Sequence, residues 1–295
     1  RVLFRSFHHG SSLSYVPWKV HKRQSQRGRI MIRRRNTLKF LGASASLVWD
    51  KTSHAQHKGI SPQTQRLTEY MSKAADVQLP LEVVEHAKHH LLDTIASVIS
   101  GFELEPGQAA MRYTLNQAGL GKVPVVGVKW LYAATDAAMA HGMMAHADET
   151  DDSHNRSRTH PGCSVVPAAL AAAQLVGCDG SRLLQSVALG YDIGTRVVMA
   201  MGGFDLSYNS SLATHSIGGN FGSAAAAAGV LGLNAQQMRW VLDYASQQSS
   251  GILAWRRDTD HIEKSFVFGG MPARNGVQSA LGVYSGWTEI GRAHV

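Results

Sequence analysis

From residue 60 onward, apolar positions recur at helical spacing in one segment after another. The stretch SPQTQRLTEYMSKAA opens on Ser61, whose hydroxyl suits a helix N-cap. Pro80 then precedes LEVVEHAKHHLLDTIASVISGF, where Val83, Val84, Ala87, Leu91, Ile95, Val98 and Ile99 keep a helical period and Gly101 marks a stop. Pro106 opens GQAAMRYTLNQAG, closed by Gly119, and Thr135 is expected to cap DAAMAHGMMAHA. VVPAALAAAQLVG, SRLLQSVALGYDIGTRVVMA, GSAAAAAGVLGL and AQQMRWVLDYASQQSS continue the pattern. Only VPVVG (123–127) reads as a strand. No repeat of repeat-protein length stands out. No internal boundary interrupts residues 60–288. The pattern predicts an all-α domain over that span.

Several of these segments are apolar on more than one side, which predicts fully buried helices. They are rich in Ala, Gly and Ser, and aromatic residues make up only 7% of the chain. Small side chains let helix axes approach at the short end of the usual range.

Charge alters the picture only at the N-terminus. The net charge is +8, but residues 1–58 hold thirteen Lys and Arg against one acid, Asp50. The remainder is mildly acidic, so the basic balance gives no reason to expect nucleic-acid binding. Within the leader, Met31 is a plausible start, and Arg33-Arg34-Arg35-Asn36-Thr37-Leu38-Lys39 resembles a twin-arginine export motif. An apolar run from Leu38 to Trp49 follows, too short to span a bilayer. Ser53-His54-Ala55 then offers small residues at the positions a signal peptidase reads. Residues 31–58 are therefore expected to be a twin-arginine signal peptide and the protein periplasmic, with the cytoplasm as the alternative; no stable membrane association is expected. The ends RVLFRS and EIGRAHV can be encoded by one DNA string on opposite strands, one that resembles a sequencing adapter. Residues 1–30 and 289–295 are accordingly expected to be artefact tails, with the natural protein continuing past Thr288. Cys163 and Cys178 lie in apolar contexts, and no disulfide is expected.

Candidate chemistry concentrates in HADETDDSHNRSRTHPG (146–162), which places four acids and three histidines between two apolar segments. The acids lack the alternate spacing and turn glycine of a calcium loop, and the chain has no HExxH, so no metal is expected. Proton transfer by a carboxylate and a histidine at the mouth of a helical core fits better. Two later stretches add to it. SLATHSIGGNFG reads as a flexible glycine loop feeding a helix N-terminus, where free N–H groups suit an anion, or else as a glycine loop needed for close helix packing. In HIEKSFVFGGMPARNG, Lys264 leads an apolar stretch followed by Arg274, and a lysine there can hold a carboxylate.

As an ordered set, A-H-x-x-E-x-D-D-S, then T-H-P-G, then the glycine-rich run into GSAAAAAGVLGL, then K-x-x-x-x-G with R-N-G resembles the MmgE/PrpD family over about residues 60–286. That family includes 2-methylcitrate dehydratase, cis-aconitate decarboxylase and an iminodisuccinate epimerase. The resemblance implies a large helical domain plus a C-terminal α/β lid that is largely or wholly missing here. It implies a cofactor-independent lyase that moves a proton α to a carboxylate of a small polycarboxylate, in a protein that is a homodimer at full length. The alternatives are an epimerase of an amino or imino polycarboxylate, or a carboxylate binder without turnover. Carried over by motif, the catalytic set is Glu149, His160, His215 and Lys264, with Ser153, Asp152 and Arg274 as substrate-binding residues. There are departures. Glu149 stands where the family has Asp, and Ser153 where Thr is common. The family's next histidine falls on Ala213, with His215 two residues further on. Asp151 and Asp152 are expected mainly to fix their loop by capping and hydrogen bonding.

Overall fold

The structure, a computed structural model, describes residues 60–288 except 118 and 120. The expected signal peptide (31–58) and both expected artefact tails (1–30 and 289–295) lie outside the described residues. Eleven helices dominate those described: α1 Pro62–Ala74, α2 Leu81–Gly101, α3 Glu105–Leu115, α4 Ala134–Ala145, α5 Gly162–Val176, α6 Gly180–Ala200, α7 Phe204–Asn209, α8 Thr214–Val230, α9 Ala235–Gln247, α10 Ile262–Ser265 and α11 Met271–Tyr284. A 3-10 turn covers Leu253–Arg257, and a π turn, Phe266–Gly270, joins α10 to α11 without a break. The strand expected in VPVVG shrinks to β1 Val123–Pro124, paired antiparallel with β2 Leu131–Tyr132. The fold class is all-α. Among the described residues no helix is long and apolar enough to cross a membrane.

Helix α8 runs through the centre, buried along nearly its whole length, with α5, α6, α9 and α11 packed around it. Its residues are small because its neighbours lie close. A Cβ on Gly194 of α6 would meet the Gly218 carbonyl oxygen at 2.5 Å, and one on Gly222 would meet that of Gly190 at 2.7 Å. The expectation of a flexible glycine loop is thus corrected. Gly218, Gly219 and Gly222 lie inside α8 and serve close helix packing. Two further readings change. Helix α4 begins at Ala134 behind Ala133 with no side-chain cap, so Thr135 lies within it. On α2, Val83 and Ile99 are exposed, while Ala87, Thr94, Ser97, Val98 and Gly101 face inward, and at Gly101 α4 lies too close for any side chain. Ser61 does cap α1, accepting from the Thr64 N–H at 3.1 Å.

Candidate functional site

Two helix ends and one turn build the site. Helix α4 stops at Ala145 and leaves His146 fully buried at its C-cap. The polar segment then loops over to α5, whose first residue, Gly162, has its N–H capped by Asp152 Oδ1 at 2.9 Å. Opposite, α10 and the π turn present Lys264 and Phe268. These faces meet because Gly142 of α4 and Gly269 of the π turn carry no side chain; a Cβ on Gly142 would lie 2.5 Å from the Gly269 carbonyl oxygen.

Phe268 forms the floor. The His215 ring stacks on it at 3.8 Å between centroids and the His146 ring at 4.5 Å, and Trp255 meets it edge-on at 4.8 Å. His160 lies 5.4 Å from His215 and 5.2 Å from His146. Lys264 Nζ sits 5.4 Å from the Phe268 ring centroid and 5.5 Å from that of Trp255. The Lys264 ammonium pairs with Glu149 Oε1, and His261 Nδ1 lies 3.4 Å from that same oxygen. Glu149, His160, His215 and Lys264, separated by up to 115 positions, therefore share one cluster. His215 fills it from the first turn of α8, while Ala213, at the family's usual histidine position, is the buried N-cap.

Beneath the cluster lies Asp151, its side chain wholly buried. It accepts from His146 Nδ1 at 2.9 and 3.0 Å and faces His160 Nδ1 at 3.5 Å, a charge contact at the limit of hydrogen bonding. Burial pushes the Asp151 carboxyl upward, yet the two imidazoles outweigh it and hold it well below the usual carboxylate range. His160 follows the same balance: burial disfavours its charged form, the Asp151 carboxylate favours it more, and the net shift is upward. His215 is driven well below the ordinary histidine value, first by burial and then by the positive charge of His160, His146 and Lys264. Neighbouring rings are thus pushed in opposite directions, the arrangement that separates a proton donor from an acceptor. Glu149 is held ionised, chiefly by its hydrogen bond from Lys264.

A cavity of about 310 Å³ opens beside this cluster, lined among others by Ser153, Arg158, His160, His215, Trp255 and Arg256. The three non-glycine residues with positive φ among those described, Glu149 (57°), Arg158 (55°) and His261 (66°), all surround the site. Held left-handed backbone of this kind gathers where a fold over-determines a functional geometry.

Two expected substrate-binding residues point elsewhere. Arg274 lines a separate cavity of about 660 Å³ with Met139, Met143, Asp258 and Glu263. It sits on α11, a full turn past the π turn that carries Phe268. Asp152 is used up within the fold: Oδ2 accepts from Tyr191 OH at 2.7 Å and faces His90 Nδ1 at 2.7 Å, and Oδ1 caps α5. Ser153 does line the smaller cavity. The motif reading passed over Phe268, Trp255, His261 and the two cavity arginines. Nothing in a single sequence marks an aromatic in an apolar run as a floor for histidines.

A family model described as the MmgE/PrpD N-terminal domain matches residues 65–292. The chain is similar to a cis-aconitate decarboxylase-like protein, oryM, of Aspergillus oryzae, 29% identical over 239 residues, 77% of this chain and 48% of that protein. It is also similar to a cis-aconitate decarboxylase of Aspergillus terreus, 26% identical over 231 residues, 76% of this chain and 46% of that protein. The chain spans about half the length of these relatives.

Proposed function

The chain belongs to the MmgE/PrpD family, and from that premise we propose that it is the helical half of a cofactor-independent lyase acting on a small polycarboxylate. The observation that carries this reading is the pairing of His160 and His215, shifted in opposite directions over one aromatic floor, beside a cavity with two arginines, with Lys264 5.5 Å from the ring of Trp255, which lines that cavity.

Removing a proton α to a carboxylate places negative charge on that carboxylate in the transition state, where preorganised cations are most effective. Lys264 supplies such a cation, and its pairing with Glu149 fixes the ammonium in place until a substrate carboxylate competes for it. His215, kept neutral by burial and its cationic neighbours, takes the proton. In a dehydration His160, whose hold on its proton Asp151 strengthens, delivers that proton to the leaving hydroxyl; in a decarboxylation no α proton is removed, the C–CO₂ bond breaks instead, and His160 protonates the carbanion that remains. Arg158 and Arg256 hold the remote carboxylates as bidentate partners. The names of the Aspergillus relatives favour decarboxylation of a tricarboxylate. The two-arginine cavity suits a small anionic substrate, and the acidic body gives no support to a nucleic-acid partner.

The test is turnover of cis-aconitate and 2-methylcitrate by the full-length protein, followed by product analysis and by solvent deuterium entering the substrate. His160→Ala should lower kcat by about 10²–10⁴-fold, the range for a positioned proton-transfer group. Lys264→Ala should lower kcat and raise KM together. Deuterium exchange without elimination would favour the epimerase reading. Tight carboxylate binding with neither exchange nor turnover would make the protein a binder.

A further inference from the structure

Beside the proton-transfer pair lies a second set of groups, of which this mechanism uses only Glu149, as the partner of Lys264. We propose that His146, Glu149 and His261 form an inhibitory site for Zn²⁺, in which the cation replaces the Lys264 ammonium as countercharge to Glu149.

Four observations carry it. One ligand atom from each of these residues lies within 4.8 Å of the others. His261 Nδ1 and Glu149 Oε1 are 3.4 Å apart, close to the edge of a zinc tetrahedron with bonds of about 2.0–2.2 Å. Second, His146 Nε2 is buried and has no hydrogen-bond partner, although Nδ1 of the same ring is held by Asp151. A carboxylate on one imidazole nitrogen and a free lone pair on the other is the arrangement that orients and strengthens a metal-binding histidine. Third, His261 donates from Nε2 to the His146 carbonyl oxygen at 3.0 Å. That fixes the tautomer, so a neutral His261 turns a lone pair at Nδ1 toward the lone pairs of Glu149. Two acceptors facing each other are reconciled by a proton or by a metal cation between them. Fourth, Glu149 and His261 both hold left-handed backbone at φ 57° and 66°, so their positions are set by the fold.

Two imidazoles and one carboxylate, with a fourth position open toward the cluster, select Zn²⁺ over the hard cations Mg²⁺ and Ca²⁺, which prefer all-oxygen sites. A second grouping, His146 with Asp151 and Cys163, is fully buried, but His146 and Asp151 are already bonded to each other there. It has no place for an ion. Because Lys264 occupies the same Glu149 oxygen, Zn²⁺ and the paired ammonium exclude each other. Inhibition as the consequence rests on the function proposed above; binding itself does not.

The experiment is calorimetric titration of ZnCl₂ into the full-length protein without substrate, with the visible absorption of bound Co²⁺ as a second readout of nitrogen and oxygen ligation. The chain has 15 histidines, so the site is identified by its response to variants. Glu149→Gln and His261→Ala should each weaken one stoichiometric site at least tenfold. Lys264→Met should tighten that site by about tenfold, through loss of a competing like charge. If His261→Ala fails to fold by circular dichroism, His261→Gln replaces it. Binding unchanged in the Glu149 and His261 variants, or unaffected by Lys264→Met, overturns the proposal. Failure of turnover with variant-sensitive Zn²⁺ binding would count against the lyase reading alone. Turnover with variant-insensitive binding would count against the Zn²⁺ site alone.

Discussion

Replacing Asp151 with Asn removes one charge and changes almost no volume, so its effects separate cleanly. Its carboxylate lies 3.5 Å from His160 Nδ1 and accepts from His146 Nδ1 in a fully buried position. At that distance a carboxylate and an imidazolium attract by about 5 kcal/mol at an effective dielectric of about 20. Burial of His160 works against its charge and cancels part of this. In the variant the burial remains and the attraction is gone, so the His160 value should fall below that of an ordinary histidine. If His160 is the proton donor, the alkaline limb of the kcat profile should move down by at least about one pH unit, since one unit corresponds to about 1.4 kcal/mol. Stability should fall by about 3–5 kcal/mol, the range for breaking a buried pair. The signs define a window. The raised His160 value contributes stability that is complete below the unfolded value near 6.5 and is lost as pH rises through the folded value. The depressed Asp151 value contributes stability present above the unfolded value near 3.9 and lost as pH falls through the folded one. The gap between parent and variant in urea unfolding should therefore be widest between about pH 4 and 6.5 and narrow on the alkaline side. An unchanged alkaline limb in a folded Asp151→Asn protein would refute the assignment of His160, even with a large loss of stability.

Other outcomes follow from single features. His141 is buried, accepts from the Val126 N–H at 3.0 Å, and is lowered by burial to about 4. Below pH 6.5 the unfolded chain takes up a proton that the folded one refuses. Lowering the pH from 6.5 to 5 should therefore cost about 2 kcal/mol through this residue, and His141→Gln should lose that pH dependence in a denaturation series. Gly142→Ala should separate α4 from the π turn, costing at least about 1–3 kcal/mol in thermal unfolding and lowering turnover through displacement of Phe268; parental activity would show that the close approach does not set the site. For the segment outside the described residues, residues 31–60 fused to a reporter dependent on twin-arginine transport should export it, and Arg34→Lys with Arg35→Lys should stop export.

The fold was legible in the sequence where helix period and composition agree. Alanine-rich segments apolar on every side became buried helices, and GSAAAAAGVLGL lies in or just beyond the most central of them. Legibility failed where one composition serves two purposes. Glycine marks loops by its backbone freedom and helix crossings by its missing side chain. In SIGGNFG the second purpose holds, because Gly218 and Gly222 meet α6. On α2 the period placed Val83 and Ile99 inward, but they are exposed, and the neighbouring helix comes so near at the end of α2 that Gly101 faces Met144.

The site was legible as residue types and illegible as partnerships. Sequence order put Asp151 and Asp152 side by side and suggested one shared role in the loop. Consecutive residues in an irregular loop can point to opposite sides, and these two do: Asp151 turns inward to His146 and His160, and Asp152 turns to α5, Tyr191 and His90. One carboxylate thereby raises His160 while the other fixes the N-terminus of α5, two residues further on. Their division of labour explains why the segment needs so many acids. Each buried carboxylate must be matched by donors or cations, so the loop brings its own histidines, and the one left with a raised value and a face toward the cavity is His160. On this view the acidic loop is primarily a device for holding two imidazoles, pushed in opposite directions, within 5.4 Å of each other, with Glu149 reaching from the same loop to Lys264.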